Sequence, residues 1–148
     1  MNPQILGQVK VLTSQCFPVV YKDSFIDSLV HDEKKFIRLA YIRDSLVGII
    51  ACKILNSQVY IMLLGVLPAY RCHGIASHLL DLCFDYVDSL SSEVNEIVLH
   101  VQTNNETGLE FYKKKKFCIT ETFPDYYPQL DPSSAFFLVC STQIPKVV

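Results

Sequence analysis

A chain of 148 residues, 50% hydrophobic and 19% charged, can bury one substantial core and is too apolar to stay disordered, so a single domain over residues 1–148 is expected. Its formal net charge of −2 and isoelectric point near 6.0 give no general attraction to phosphate backbones, which sets nucleic-acid binding aside. The longest apolar stretch, residues 59–70, falls short of the roughly 20 residues a membrane helix needs and contains Gly65 and Pro68, so no membrane span is expected.

The first residues, Met1-Asn2-Pro3-Gln4, do not form a basic region leading into an apolar core and cleavage site. The chain is therefore expected in the cytosol, with the nucleus as a second compartment. Asn2 reads as a helix cap and Pro3 as a favoured first-turn residue, and Ile5, Val9, Leu12 and Cys16 recur at helical spacing, which predicts a helix over residues 3–15, stopped by Pro18. A short helix over 24–30 follows. Two strand-like runs, 36–41 and 46–55, turn at Arg43-Asp44, and Asn56-Ser57 turns the chain again into 58–67. The middle run is almost wholly apolar and is expected at the centre of an antiparallel meander.

Arg71-Cys72-His73-Gly74-Ile75-Ala76 then stands between the apolar run 59–66 and a long helix whose apolar face is Ile75, Leu79, Leu82, Cys83, Tyr86 and Leu90, with Asp81, Asp85 and Asp88 elsewhere. A loop entering a helix can offer converging N–H groups to a phosphate, because unpaired amides and the helix dipole both favour negative charge there. Gly74 permits close approach, Ala76 opens the helix without obstructing a ligand, and Arg71 adds a cation for phosphate oxygens. Taken alone, the spacing fits an ordinary strand-to-helix turn at least as well.

Residues 96–102 form the next strand, and Asn104-Asn105 cap a helix running through Leu109 and Tyr112 to four lysines at 113–116. Those lysines read as a solvated helix end complementing the dipole rather than a polyanion site. Runs 118–123 and 135–140 are two last strands, joined through Pro124-Asp125-Tyr126-Tyr127-Pro128. The order predicts an α/β fold, a mixed and mostly antiparallel sheet flanked by about four helices, with one parallel crossover. Six cysteines (16, 52, 72, 83, 118, 140) without a C-x-x-C pair, and four histidines (31, 73, 78, 100) without ligand spacing, predict neither a disulfide framework nor a metal.

The loop at 71–76, in this order of elements, resembles the acetyl-CoA signature of the GNAT acetyltransferase superfamily, and the resemblance covers nearly the whole chain. Phe17-Pro18-Val19, Tyr60-Ile61-Met62-Leu63-Leu64-Gly65, Leu99-His100-Val101-Gln102, Asn105-Glu106, Phe111-Tyr112 and Tyr126-Tyr127 are similar to blocks of the catalytic subunits of N-terminal acetyltransferase E. The resemblance implies a GNAT fold and acetyl-CoA-dependent acetylation of protein N-termini, with preference for an initiator methionine followed by an apolar residue. It implies direct amine attack without a covalent enzyme intermediate. It also implies association with a ribosome-bound auxiliary subunit and a second acetyltransferase subunit.

Residue by residue, the resemblance makes Tyr60 and His100 the base system, binding a water that relays the proton. Acetyl-CoA falls to Arg71, Cys72, His73, Gly74, Ile75, Ala76 and Ser77 of the loop, and to Asn105 and Tyr112, the latter able to donate to the leaving sulfur. Backbone amides at Leu64, Gly65, Val66 and Leu67 are candidates for the thioester oxygen and pantetheine, since a strand containing Gly65 can bulge and expose them. Phe17, Pro18, Val19, Tyr21, Met62, Tyr126 and Tyr127 are the peptide contacts. The chemistry is coherent: an amine attacking a thioester needs a proton acceptor, oxyanion donors and exclusion of water, and an α-amino group of pKa about 8 is partly neutral at pH 7 where lysine, at about 10.4, is not.

Taken singly, His100 and Tyr60 also read as packing residues, and Met62 equally as a core filler. Three departures from the family pattern stand out: only Met1-Asn2 precede the first helix, so either the family's first strand is missing or the start of the sequence is misplaced; Lys116 replaces a glycine after the Phe-Tyr helix; Ala76 replaces the loop's second glycine, beside an unusual Cys72-His73. Two further readings remain open on the same scaffold, acetylation of lysine ε-amines or small amines, and an inactive acetyl-CoA-binding scaffold.

Overall fold

The computed structural model describes residues 3–32, 34–90 and 94–142. Helices α1 (Pro3–Cys16) and α2 (Asp23–His31) precede strands β1 (Lys35–Ile42), β2 (Ser45–Leu55) and β3 (Gln58–Val66). A single 3-10 turn, Pro68–Tyr70, leads to α3 (Ile75–Ser89), followed by β4 (Glu96–Gln102), α4 (Glu106–Lys114), β5 (Cys118–Phe123) and β6 (Ala135–Ser141). The expected cap Asn2 lies outside the described residues.

The strands form one sheet in the order β1-β2-β3-β4-β6-β5. All neighbours are antiparallel except β3 and β4, which are parallel and connected through α3. Strand β2 is buried without interruption over seven residues because helices cover both sheet faces. Ile49 and Ala51 face α1 and α2, meeting Val9, Leu12, Ile26 and Leu29, while Ile50 and Cys52 face α3 and α4, meeting Leu79, Leu80, Cys83 and Leu109. The six cysteines are free, and Cys52 and Cys83 place their sulfurs 3.6 Å apart inside the second of these cores.

Two local irregularities open the sheet. Pairing of β3 with β4 covers only Gln58–Tyr60 against Glu96–Val98, yet β3 continues beside β2 as far as Val66, and β4 continues beside β6 as far as Gln102. The facing edges beyond Tyr60 and Val98 therefore have no ladder partner in each other, and a gap begins there. The second irregularity is the cause: the β2–β3 register skips at Met62, between Cys52↔Ile61 and Ala51↔Leu63, and the extra residue bends β3 away. The bulge expected at Gly65 is thus at Met62. Gly65 pairs regularly with Ile49, and its lack of a side chain serves packing instead, since a Cβ there would lie 2.6 Å from Cζ of Phe17.

The glycine-less turn after α4 is closed by Lys116 at φ +73°. Lys116 N donates to Lys113 O and Phe117 N to Tyr112 O, both at 3.0 Å, which caps the helix while Phe117 is buried against its last turn. The left-handed strain of a lysine there is thereby offset rather than relieved.

Candidate active site

The gap between β3 and β4 has a base at its apex and an anion site at its mouth. At the apex, Tyr60 ends the paired part of β3 and His100 lies two residues beyond the paired part of β4. The two side chains meet directly, Tyr60 Oη to His100 Nδ1 at 2.7 Å, so the pair forms one unit on which a relaying water would bind from outside rather than between its members. Burial lowers the His100 pKa below its ordinary value, so the imidazole is neutral at pH 7 and can accept a proton. Burial first, and then the hydrogen bond with Tyr126, push the Tyr60 phenol far above its ordinary pKa. Tyr60 therefore does not act as a phenolate, but it can pass one proton on while receiving another.

At the mouth, the loop enters α3 through two left-handed residues, Cys72 at φ +64° and Gly74 at φ +83°. Reversals of handedness this close together curl the backbone into an anion-binding concavity. The first helical bond of α3 is His78 N to Gly74 O at 3.0 Å, and no side chain caps the amides of Gly74, Ile75, Ala76 and Ser77 that precede it. Arg71 is fixed beside them by Nε donating to Val66 O at 2.9 Å, and His73 Nδ1 lies 2.7 Å from the Arg71 carbonyl. Four free amides, a helix dipole and a guanidinium together make a site for a diphosphate.

Between apex and mouth runs the unpaired edge of β3, where every second amide of Leu64 to Val66 turns away from β2. Leu67 differs from expectation: its amide donates to Val47 O at 2.8 Å and is not free for a ligand. Asn105 also has a local task, its Oδ1 accepting from Gly108 N at 3.0 Å as the cap of α4. Tyr112 is buried in the core, its phenol pushed well up by burial, with Cys52, Cys83 and Tyr127 adding to the shift, so it keeps its proton and is a hydroxyl able to donate a hydrogen bond.

Three of the expected peptide contacts approach the apex, and the others lie further out. Tyr21, Tyr126 and Tyr127 all lie close enough to Tyr60 to influence its ionisation. Phe17 meets Tyr21 edge-on at 5.9 Å, and Met62, the bulged residue, is half-buried against the same core cluster as both. Pro18 and Val19 line a cavity of about 240 Å³ between α1 and α2, shared with Phe17 and Tyr21. Tyr126 stacks on His100 at 4.0 Å and 13°, and burial lifts the Tyr127 phenol to about 12. Two residues of this cluster escaped sequence reading: Phe137, paired opposite His100, and Phe123 of β5, whose rings stand 4.9 and 5.1 Å from the imidazole. The Phe136-Phe137 pair was visible, but which of the two faces His100 depends on strand register. Among the described residues, no group of three or more His, Cys, Asp or Glu side chains is placed to hold a metal ion.

Comparison with known proteins sets these features in a lineage. Residues 7–117 match the model of the acetyltransferase (GNAT) family. The chain is 35% identical to N-alpha-acetyltransferase 50 of Danio rerio, over 98% of this chain and 88% of the relative. It is 36% identical to the probable N-acetyltransferase san of Drosophila melanogaster, over 93% and 76%. Among solved structures, Arabidopsis thaliana Naa50 in complex with the bisubstrate analogue CoA-Ac-MVNAL superposes with a TM-score of 0.85 at 39% identity, covering 95% of each chain. Arabidopsis thaliana NAA60 in complex with acetyl-CoA shares the fold, with a TM-score of 0.83 at 21% identity over 95% of each chain.

Proposed function

The chain belongs to the acetyltransferase (GNAT) family, and we propose that it transfers the acetyl group of acetyl-CoA to the α-amino group of protein N-termini, preferring an initiator methionine followed by an apolar residue. The observation that carries the reading is the direct Tyr60–His100 hydrogen bond at the apex of a gap whose mouth is an uncapped helix N-terminus. The Arabidopsis relative was captured with an analogue carrying MVNAL, a methionine followed by valine, which supports the same preference here.

In this reading the amides of Gly74–Ser77 and the Arg71 guanidinium hold the diphosphate of the coenzyme, and the thioester lies along the open edge of β3. The peptide enters between the Phe17–Tyr21 corner and the Tyr126–Tyr127 loop, aromatic walls that suit an unbranched methionine side chain. The free amine attacks the thioester carbon, forming the C–N bond, while free amides of β3 stabilise the oxyanion. Collapse breaks the C–S bond. The ammonium proton passes to Tyr60 Oη as Tyr60 hands its own to His100 Nδ1, and the Tyr112 hydroxyl donates to the departing sulfur. By likeness to N-terminal acetyltransferase E, a ribosome-associated auxiliary subunit and a second acetyltransferase are proposed partners, and the cytosol, where nascent N-termini emerge, is the proposed location.

The test is acetyl transfer to a Met-Leu peptide with an internal lysine, read by mass spectrometry beside the same peptide with its α-amino group blocked. Acetylation of the free N-terminus alone is expected. Acetylation of lysine in the blocked peptide would replace this reading by ε-amine transfer.

A further inference from the structure

Tyr126 is 40% exposed, yet it is held tightly. Its ring lies on the imidazole of His100 with centroids 4.0 Å apart, its Oη is 3.0 Å from Tyr60 Oη, and Tyr127 packs edge-on against it at 4.8 Å. The loop that carries it is fastened to the end of β4, by Gln102 Nε2 donating to Pro132 O at 2.8 Å and by the Thr103 and Ser134 hydroxyls meeting at 2.9 Å. Within the loop, Tyr127 N donates to Ser133 O at 2.8 Å and Ser133 Oγ donates to Asp125 Oδ1 at 3.0 Å. Such a fixed, stacked side chain does more than line a path.

The base role assigned to His100 sets the hydrogen-bond directions. To take the Tyr60 proton, neutral His100 must carry its own on Nε2 and accept at Nδ1, so in the arrangement competent for transfer Tyr60 donates to it. A phenol oxygen, conjugated with its ring, then has one good in-plane direction left for accepting, and the Tyr126 hydroxyl stands there. The substrate amine has to deliver its proton to that same oxygen.

We propose that Tyr126 is a positioning residue with two separable functions: its ring clamps the His100 imidazole towards Tyr60, and its hydroxyl occupies the acceptor position on Tyr60 Oη until the substrate amine displaces it. The inference rests on the acetyl-transfer reading above. Protons balance without Tyr126, which keeps its own throughout: the amine proton goes to Tyr60 and the Tyr60 proton to His100. Among the described residues, the titratable groups in contact with His100 are Tyr60 from β3 and Tyr126 from the loop, and Glu121 of β5, paired with Phe137, lies on the same face one strand further out. Strands β5 and β6 present Phe123 and Phe137, and Lys53 of β2 holds its Nζ 5.7 Å from the centre of the Tyr60 ring.

Tyr126→Phe and Tyr126→Leu separate the two functions. Acetyl-CoA titration first establishes that each variant is folded, the His100 ring protons are titrated by NMR without peptide, and peptide kcat and KM are measured across pH. In Tyr126→Phe the His100 midpoint stays with the parent and peptide KM falls about two- to tenfold, the equivalent of one neutral hydrogen bond no longer displaced. In Tyr126→Leu the imidazole loses its stacked cover, its midpoint rises, the acid limb of kcat rises with it, and kcat falls. A raised KM in Tyr126→Phe would overturn the displacement, making the hydroxyl a peptide ligand. An unmoved His100 midpoint in Tyr126→Leu would overturn the clamp. If the parent acetylates no N-terminus while the midpoint still shifts, the clamp stands and the acetyl-transfer reading is what fails.

Discussion

The chain makes a strand-to-helix passage twice on opposite sides of the gap, from β3 into α3 and from β4 into α4, and finishes the two differently. At α4, Asn105 folds its side chain over the first turn and satisfies the Gly108 amide, with Gly108 fitting so closely beneath that a Cβ would lie 2.7 Å from Asn105 Nδ2. At α3, Gly74 stands in the capping position with no side chain to offer, and a Cβ there would meet nothing within 4 Å. One helix end is closed for stability and the other is left open at some cost in stability. An uncapped helix start beside a fixed arginine is therefore assigned to a ligand, whereas the capped one is assigned to the fold.

Breaking what the two passages share has the largest expected effect. Tyr60 comes from the first unit and His100 from the second, and Tyr60→Phe or His100→Ala should each lower kcat by roughly 10²-fold with acetyl-CoA affinity kept, measured by steady-state kinetics and coenzyme titration. Near-normal turnover in both variants would remove the base assignment. The sign of the pH dependence also follows: His100 must be neutral to accept a proton, and burial lowers its pKa. The acid limb of kcat in the parent protein therefore lies below the ordinary histidine value of about 6.5.

Making the two helix starts alike comes next. Gly74→Asn gives α3 the kind of cap α4 has, at a left-handed position asparagine tolerates. Acetyl-CoA Kd should rise about tenfold or more as amides that served the diphosphate turn to the new side chain. An unchanged Kd by calorimetry would mean the coenzyme is held elsewhere. The reverse change, Asn105→Ala, should lower stability by about 1 kcal/mol, visible as a Tm lower by roughly 3 °C. Loss of coenzyme affinity in that variant would return Asn105 to the coenzyme contact expected from sequence. Smallest is the far end of α4, where Lys116→Gly relieves the φ of +73° and should stabilise by about 0.5 kcal/mol in denaturant unfolding.

Why the sequence reveals some of this and hides the rest is a matter of range. The strand expected over residues 96–102 and the capped helix after it depend on local pattern, apolar alternation and an asparagine before a helix, and both form where expected. The uncapped start of α3 is equally local, visible as Gly74 where a capping side chain would stand. Register is different: that Met62 and not Gly65 is bulged, that Gly65 makes room for Phe17, that Val47 takes the Leu67 amide, and that Phe137 faces His100 all depend on which residues of distant strands lie opposite one another. Local propensity carries no such information. Blocks resembling a known family point to Tyr60 and His100 together, but their direct contact, and the place of Tyr126 against both, come from the way the sheet opens.

The most direct measurement is backbone amide NMR of the labelled protein during titration with acetyl-CoA. The amides of Gly74, Ile75, Ala76 and Ser77 should show the largest shifts and gain protection from exchange, while those of the capped first turn, Glu106 to Gly108, change little. Large changes at α4 with none at α3 would contradict the assignment of the open helix end to the coenzyme.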